Sequence, residues 1–247
     1  MHAVPQQPPI ERMTLISQAR HALLEGGAPA SAPGWMEPWI ERSWRRCLAD
    51  GRHPSNPLAF DGVSTQAMRR VTEANRPLVL AARPTLEKLA RAIAGTRYFA
   101  ILTDAQGVVV DTHGPIDRAD RRAAVIARVG ADLSERAVGT TAIGAALTEL
   151  QPVWLHRGEH FFDDTSVYSC AGAPLLGPDG ECVGMLDLTG VEVAERPELK
   201  HLVAQSARTI ENGKPVDTTG ELKDVEAFGA GTKATFSTLP QLGAQLA

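Results

Sequence analysis

Only three cysteines, Cys47, Cys170 and Cys182, occur in 247 residues, and no two of them stand in a CxxC spacing. An odd, scattered set cannot supply a disulfide framework, so a reducing cytosol fits this chain best. A basic excess is also lacking. A net charge of -4 with 22% charged residues argues against a dedicated nucleic-acid surface. No stretch approaches the roughly 20 apolar residues of a membrane helix, and residues 1–9 are polar and proline-rich without the apolar core of a signal peptide. A soluble cytoplasmic protein with no membrane partner is expected. The phosphate-loop pattern GxxxxGK[ST] is missing too, and Gly229-Ala230-Gly231-Thr232-Lys233 is only a superficial echo of it.

What is present is 43% apolar, enough to bury a sizeable core, and it falls into three zones. Residues 1–61 read as an N-terminal helical extension, with a helical piece over 10–24, a Gly/Pro/Ala-rich linker over 26–34 and a tryptophan-rich piece around Trp35, Trp39 and Trp44. Arg42, Arg45, Arg46 and Arg52 make it the most basic part, which reads first as a solvated helix face. Residues 214–247, rich in Gly, Thr and Ala, read as a partly ordered tail.

The middle zone, 62–213, carries the regular patterns. Ser64 is a candidate N-cap for a helix holding Met68, Val71 and Leu78, which Pro77 and Pro84 should kink or divide. Leu86, Leu89, Ala90 and Ile93 then recur on one helical face. Residues 98–104 and 108–111 flank a tight turn at Gly107, a hairpin signature. Helical character follows over 118–129, and 140–150 reads as a short buried helix entered through Gly139. Strands are expected over 152–155, 170–176 and 181–189, the last two joined by Gly177-Pro178-Asp179-Gly180. From Pro197 a closing helix carries Leu199, Leu202, Val203, Ser206 and Ile210, with Asn212-Gly213 as its stop. Tight turns between strands imply an antiparallel sheet bracketed by helices, an α+β architecture. The apolar stripes of the helices at 86–93 and 199–210, if they lie together, would form a dimer seam.

Candidate chemistry concentrates in the second half of this zone. Glu159-His160 followed by Phe161-Phe162 suits a pocket around a small organic molecule, or a loop whose aromatics cover the sheet edge. Trp154, His160, Phe161, Tyr168 and Cys170 fall on adjacent strands and the loop between them, and are expected to line one cavity. His160 or Tyr168 would supply the polar atom that selects a hydroxyl or carbonyl. Ala171, Gly172 and Ala173 leave volume for that cavity, or permit close helix packing instead. Thr140-Thr141 after Gly139 place hydroxyls and amides at a helix start, as a ligand site or as a bare cap. His156, His160, Cys170 and Cys182 offer metal-ligand chemistry, but their spacing crosses a strand end and Gly158. A Cys–His nucleophile would need Cys170 held against His160, and nothing nearby in sequence orients such a pair. No metal, cofactor or catalytic residue is expected.

Seven blocks occur in an order that matches a known family: Glu41-Arg42-Ser43-Trp44-Arg45-Arg46-Cys47-Leu48, Leu102-Thr103-Asp104 with Gly107, Gly130-Ala131-Asp132-Leu133-Ser134-Glu135, Val138-Gly139-Thr140-Thr141-Ala142-Ile143-Gly144, Gly158-Glu159-His160-Phe161, Ser169-Cys170-Ala171-Gly172-Ala173-Pro174 and Gly184-Met185-Leu186-Asp187-Leu188-Thr189-Gly190. Over residues 39–212 the chain resembles the N-terminal sensory region of sigma-54-dependent transcription activators of the acetoin-catabolism-regulator type. The resemblance implies a GAF domain: an antiparallel sheet with a ligand pocket on one face and dimerising helices on the other. It further implies a small-molecule effector, a homodimer and a regulatory, non-enzymatic role. DNA and sigma-54 RNA polymerase would be reached only through an ATPase domain and a helix-turn-helix, neither of which this sequence carries. The alternatives are a stand-alone GAF ligand-binding or scaffold protein, or a metal or redox sensor.

Overall fold

The computed structural model describes residues 9–25, 36–58, 60 and 63–213; the linker over 26–34 and the tail over 214–247 lie outside the described residues. At the centre is β1 (Tyr98–Asp104), an apolar run buried on both faces. It turns into β2 (Val109–His113) through Gly107, whose φ of +84° a side chain would strain. The Asp104 carboxylate fixes that turn by accepting from the amides of Gln106 and Val108, at 2.9 and 3.0 Å. β3 (Val153–His156), β4 (Tyr168–Leu176) and β5 (Cys182–Val191) complete a five-stranded sheet of order β2-β1-β5-β4-β3, antiparallel throughout. This antiparallel, helix-flanked sheet is the α+β architecture expected.

Side chains of a strand alternate between faces, and here each face has its own core. On one face Tyr98, Ala100 and Leu102 of β1 meet two long helices, α4 (Arg76–Ala92) and α8 (Leu199–Asn212). Before α4 stands α3 (Thr65–Ala74), whose N-cap Ser64 accepts from the Ala67 amide at 3.1 Å. The expected division falls at Asn75; Pro77 sits in the first turn of α4, where no amide is needed, and α4 runs on through Pro84. Leu86, Leu89 and Ile93 are at most 3% exposed, packed on their own sheet with Leu199 and Val203. Both stripes are thus consumed inside one chain. The dimer seam expected from them is not available.

On the other face lie α5 (Arg121–Ile126), α6 (Glu135–Val138) and α7 (Ala142–Glu149). α5 is shorter than the pattern over 118–129 because the Asp120 carboxylate caps the Arg122 amide and sets its start. The N-terminal helices join this second core. α1 (Pro9–Arg20) continues through a wider turn at His21–Glu25, and α2 (Pro38–Ala49) buries Trp39, Ile40, Trp44 and Cys47. The arginines of α2 do more than face solvent. Arg46 bonds both carboxylate oxygens of Glu135, at 2.6 and 2.8 Å, and Arg42 reaches Glu149 at 2.5 Å, while Arg45 stays exposed beside Glu41. Bidentate arginine–carboxylate pairs of this kind fix orientation as well as adding attraction.

Candidate ligand-binding site

Between the inner face of the sheet and α5–α7 lies a cavity of about 360 Å³, its mouth included, in which the centre of a water-sized molecule ranges over about 30 Å³. That is room for a few non-hydrogen atoms. Its walls are mostly apolar: Ile101 of β1, Ile126 of α5, Leu133, Val138 and Ile143. Polar atoms come from Thr141, Thr165 and the sheet face itself. There, by strand register, Cys170 stands opposite Thr189 and Asp187 opposite both Ile101 and Gly172.

The cavity brings together three of the six side chains expected at a binding site: His160, Tyr168 and Cys170. Nε2 of His160 is 3.5 Å from the Cys170 sulfur, and the His160 and Tyr168 rings meet edge-on at 6.4 Å. The other three point elsewhere. Trp154 faces the α8 side, because Leu155, not Trp154, pairs with Cys170 and adjacent residues take opposite faces. There it stacks on His156, whose Nδ1 meets the Ser169 hydroxyl at 2.7 Å. Phe161 is fully buried against Phe162 and the backbone at Gly139, outside the cavity lining. The Thr140 hydroxyl bonds Ser43 of α2 at 2.6 Å, and it is Thr141 that caps α7 and lines the cavity. The small residues of β4 serve packing instead of volume: a Cβ on Gly172 would come within 3.0 Å of the Ala142 carbonyl oxygen in α7.

Asp187 and Thr189 are the site residues that sequence reasoning missed. The readable signal was a lone carboxyl between Leu186 and Leu188, in phase with Thr189, inside an otherwise apolar strand. Asp187 is fully buried; one carboxyl oxygen is bonded to the Thr189 hydroxyl, and Oδ1 has no hydrogen-bond partner among the described residues. Burial pushes this carboxyl up to about 7, opposed only by the Thr189 hydrogen bond.

The loop that carries His160 is fastened from outside. Arg20 of α1 donates to the carbonyl oxygens of Gly158, His160 and Phe161 at 3.0, 2.5 and 3.1 Å, and to Asp163 at 2.6 Å. Trp44 of α2 donates to the Glu159 carbonyl at 2.9 Å. The buried Glu159 carboxyl holds the His156 amide at 2.7 Å and Arg12 at 2.6 Å, and desolvation lifts it to about 7.

Cys170 is thus held against His160 after all, and the orienting group is the Arg157 carbonyl, which takes the Nδ1 proton at 2.9 Å. Burial pushes the thiol well up and the imidazole down to about 4. Both partners are therefore neutral near pH 7, and the contact is S–H···N. An activated nucleophile needs the thiolate instead. The four residues with metal-ligand chemistry are split: His156 stacks on Trp154 on the α8 side and Cys182 lies at the far end of β5, and among the described residues no three His, Cys, Asp or Glu side chains converge. No described helix is long and apolar enough to cross a membrane.

Residues 14–212 match the family described as MimR, N-terminal domain. The acetoin catabolism regulatory protein of Cupriavidus necator is 33% identical over 172 residues, covering 68% of this chain and 25% of that protein. The acetoin dehydrogenase operon transcriptional activator AcoR of Bacillus subtilis is 30% identical over 195 residues, covering 77% and 32%. The propane 2-monooxygenase operon transcriptional activator MimR of Mycolicibacterium goodii is 30% identical over 175 residues, covering 70% and 28%. The chain thus spans about a quarter to a third of the length of these relatives, all regulators by name. In structure it resembles the Escherichia coli DhaR(N)–DhaL complex, with a TM-score of 0.66 at 17% identity over 78% of this chain and 67% of that one, a likeness of fold.

Proposed function

The chain belongs to the MimR N-terminal domain family, and on that premise we propose that it is the small-molecule-sensing regulatory domain of a bacterial transcriptional activator. The observation that carries the reading is the mostly apolar cavity with a few convergent polar groups, set on the inner sheet face beneath a loop clamped by α1 and α2. An occupant that moves His160 moves a backbone carbonyl held by Arg20, and so biases the N-terminal helices. In this reading residues 62–213 are the sensory core, 1–61 its helical extension and 214–247 a tail. The domain works in the cytoplasm and catalyses nothing. Contacts with DNA and sigma-54 RNA polymerase belong to other segments of a full-length activator.

A thermal-shift screen of small metabolites tests this. A true ligand at a hundred times its Kd should stabilise the fold by about 2.7 kcal/mol. Ile126→Phe, which fills the cavity from α5, should abolish that gain while keeping the unliganded fold. A ligand that stabilises both proteins equally binds elsewhere and refutes the reading.

The domain is also proposed to form a homodimer, through the outer faces of α3 and α4. Leu80 is 53% exposed there, and Met68 and Val71 remain half-buried. Light scattering at micromolar concentration should give twice the 26.4 kDa chain mass, and Leu80→Glu should return it to one. A monomer at all concentrations would refute this assembly without touching the fold.

A further inference from the structure

The side-chain donors around the cavity are already engaged. The Tyr168 hydroxyl donates to the Arg122 carbonyl at 3.1 Å, Thr165 to Phe162 at 2.8 Å and Thr141 to Leu133 at 3.4 Å. His160 spends its Nδ1 proton on Arg157, which leaves Nε2 to accept the Cys170 thiol proton. The Thr189 hydroxyl lies within reach of both Cys170 and Asp187, and its single proton goes to the carboxylate, the stronger acceptor. One side-chain polar atom of the lining is left over: Oδ1 of Asp187, buried and without a partner among the described residues. A buried acceptor of this kind carries a desolvation penalty until a donor reaches it.

We propose that the cavity takes a small uncharged molecule bearing a hydroxyl, and that Asp187 selects it by accepting that hydroxyl's proton. The proposal rests on the sensing reading and adds the ligand's chemistry to it. His160 and Tyr168, the selectors expected from sequence, have no free donor to offer a carbonyl. Against the ionised carboxylate, a ketone of the same shape would leave Oδ1 unpaired and face it as a second acceptor. An alkylammonium brings three donors and a full charge, with hydroxyl oxygens as its only further side-chain oxygen acceptors, and that charge would lose its hydration against Ile101, Ile126 and Ile143. A hydroxyl brings one donor, which matches the count.

The test uses three probes of one shape: butan-2-ol, butan-2-one and sec-butylammonium. Their binding is read from methyl NMR shifts of Ile101, Ile126 and Ile143 at pH 8.5, where the Asp187 carboxyl is ionised. Butan-2-ol should shift these methyls with a Kd about tenfold below that of the ketone, as one buried hydrogen bond implies, and the ammonium should bind most weakly. In Asp187→Asn the Thr189 hydroxyl takes the amide oxygen and leaves the NH2 group facing the cavity, so the preference should invert to the ketone. Ketone binding equal to alcohol binding, or an order unchanged in Asp187→Asn, overturns the role of Asp187 while leaving a ligand cavity. Tightest binding by the ammonium overturns the uncharged class. Methyls silent to all three probes would sink the cavity reading itself, and this inference with it.

Discussion

Trp44→Ala is expected to lower the unfolding free energy by about 3 to 5 kcal/mol, the range for deleting a large buried aromatic. Trp44 is 1% exposed in α2, at the centre of the inner core, and its ring lies under the Arg20 guanidinium at 5.7 Å. Three losses combine. The indole leaves a cavity that the sheet and α7 cannot close, since both are fixed by other contacts. The Glu159 carbonyl loses its donor in a buried place. Arg20 loses the aromatic face beneath it. Urea unfolding should show a lower midpoint at unchanged slope, the signature of a stability change alone. Trp44→Phe separates the terms, because it keeps most of the packing and drops only the hydrogen bond, worth about 0.5 to 1.5 kcal/mol. A loss below about 1 kcal/mol for the alanine variant would mean that α2 is peripheral to the fold, contrary to the core seen here.

Asp187→Asn should stabilise the protein, and only above acid pH. The native carboxyl sits at about 7 against an ordinary value of 3.8, raised by burial. Its folded pKa is thus the higher one, so the folded state binds the extra proton between these values. Stability from this group is complete below 3.8 and is lost as pH rises through about 7. A rise from 3.8 to about 7 is worth, at about 1.4 kcal/mol per pH unit, about 4 kcal/mol as an upper bound. Asparagine keeps the shape and the Thr189 hydrogen bond but never charges. The variant should match the native protein near pH 3.5 and exceed it by a few kcal/mol at pH 8.5. The buried His156 and His160, both lowered to about 4, work in the opposite sense; they contribute stability above 6.5 that is lost as pH falls through 4. They are common to both proteins and cancel in the difference. Denaturation across this range that gives a pH-independent gap would show that the Asp187 carboxyl ionises as readily in the native state as in the unfolded one.

Element types and order were legible because alternation and helical periodicity act locally. The hairpin at Gly107, the cap at Ser64 and the stop at Gly213 all follow from single-residue preferences. The candidate site was legible only in part, because facing depends on register. β3 has four residues, all buried, so no alternation of polarity says which way Trp154 points. That is decided by the pairing of Leu155 with Cys170 across the sheet. The dimer stripes failed for a related reason: an apolar helix face reports that something covers it, not that the cover is another chain. Asp187 was hidden because its partners in the cavity, His160 and Tyr168, come from other parts of the chain, and a lone carboxyl in a strand shows nothing of its isolation until they assemble.

Arg20 grips the loop after β3 through three carbonyl oxygens, with Asp163 as its only side-chain partner there among these contacts. Every amino acid presents the same carbonyl. The clasp thus reads no side chain at residues 160 and 161, whereas a Cβ on Gly158 would press on Ile16 and Arg20 at 3.0 and 3.2 Å. A substitution at residue 160 can therefore change the chemistry of the cavity wall and leave in place the main-chain bonds that tie this loop to α1.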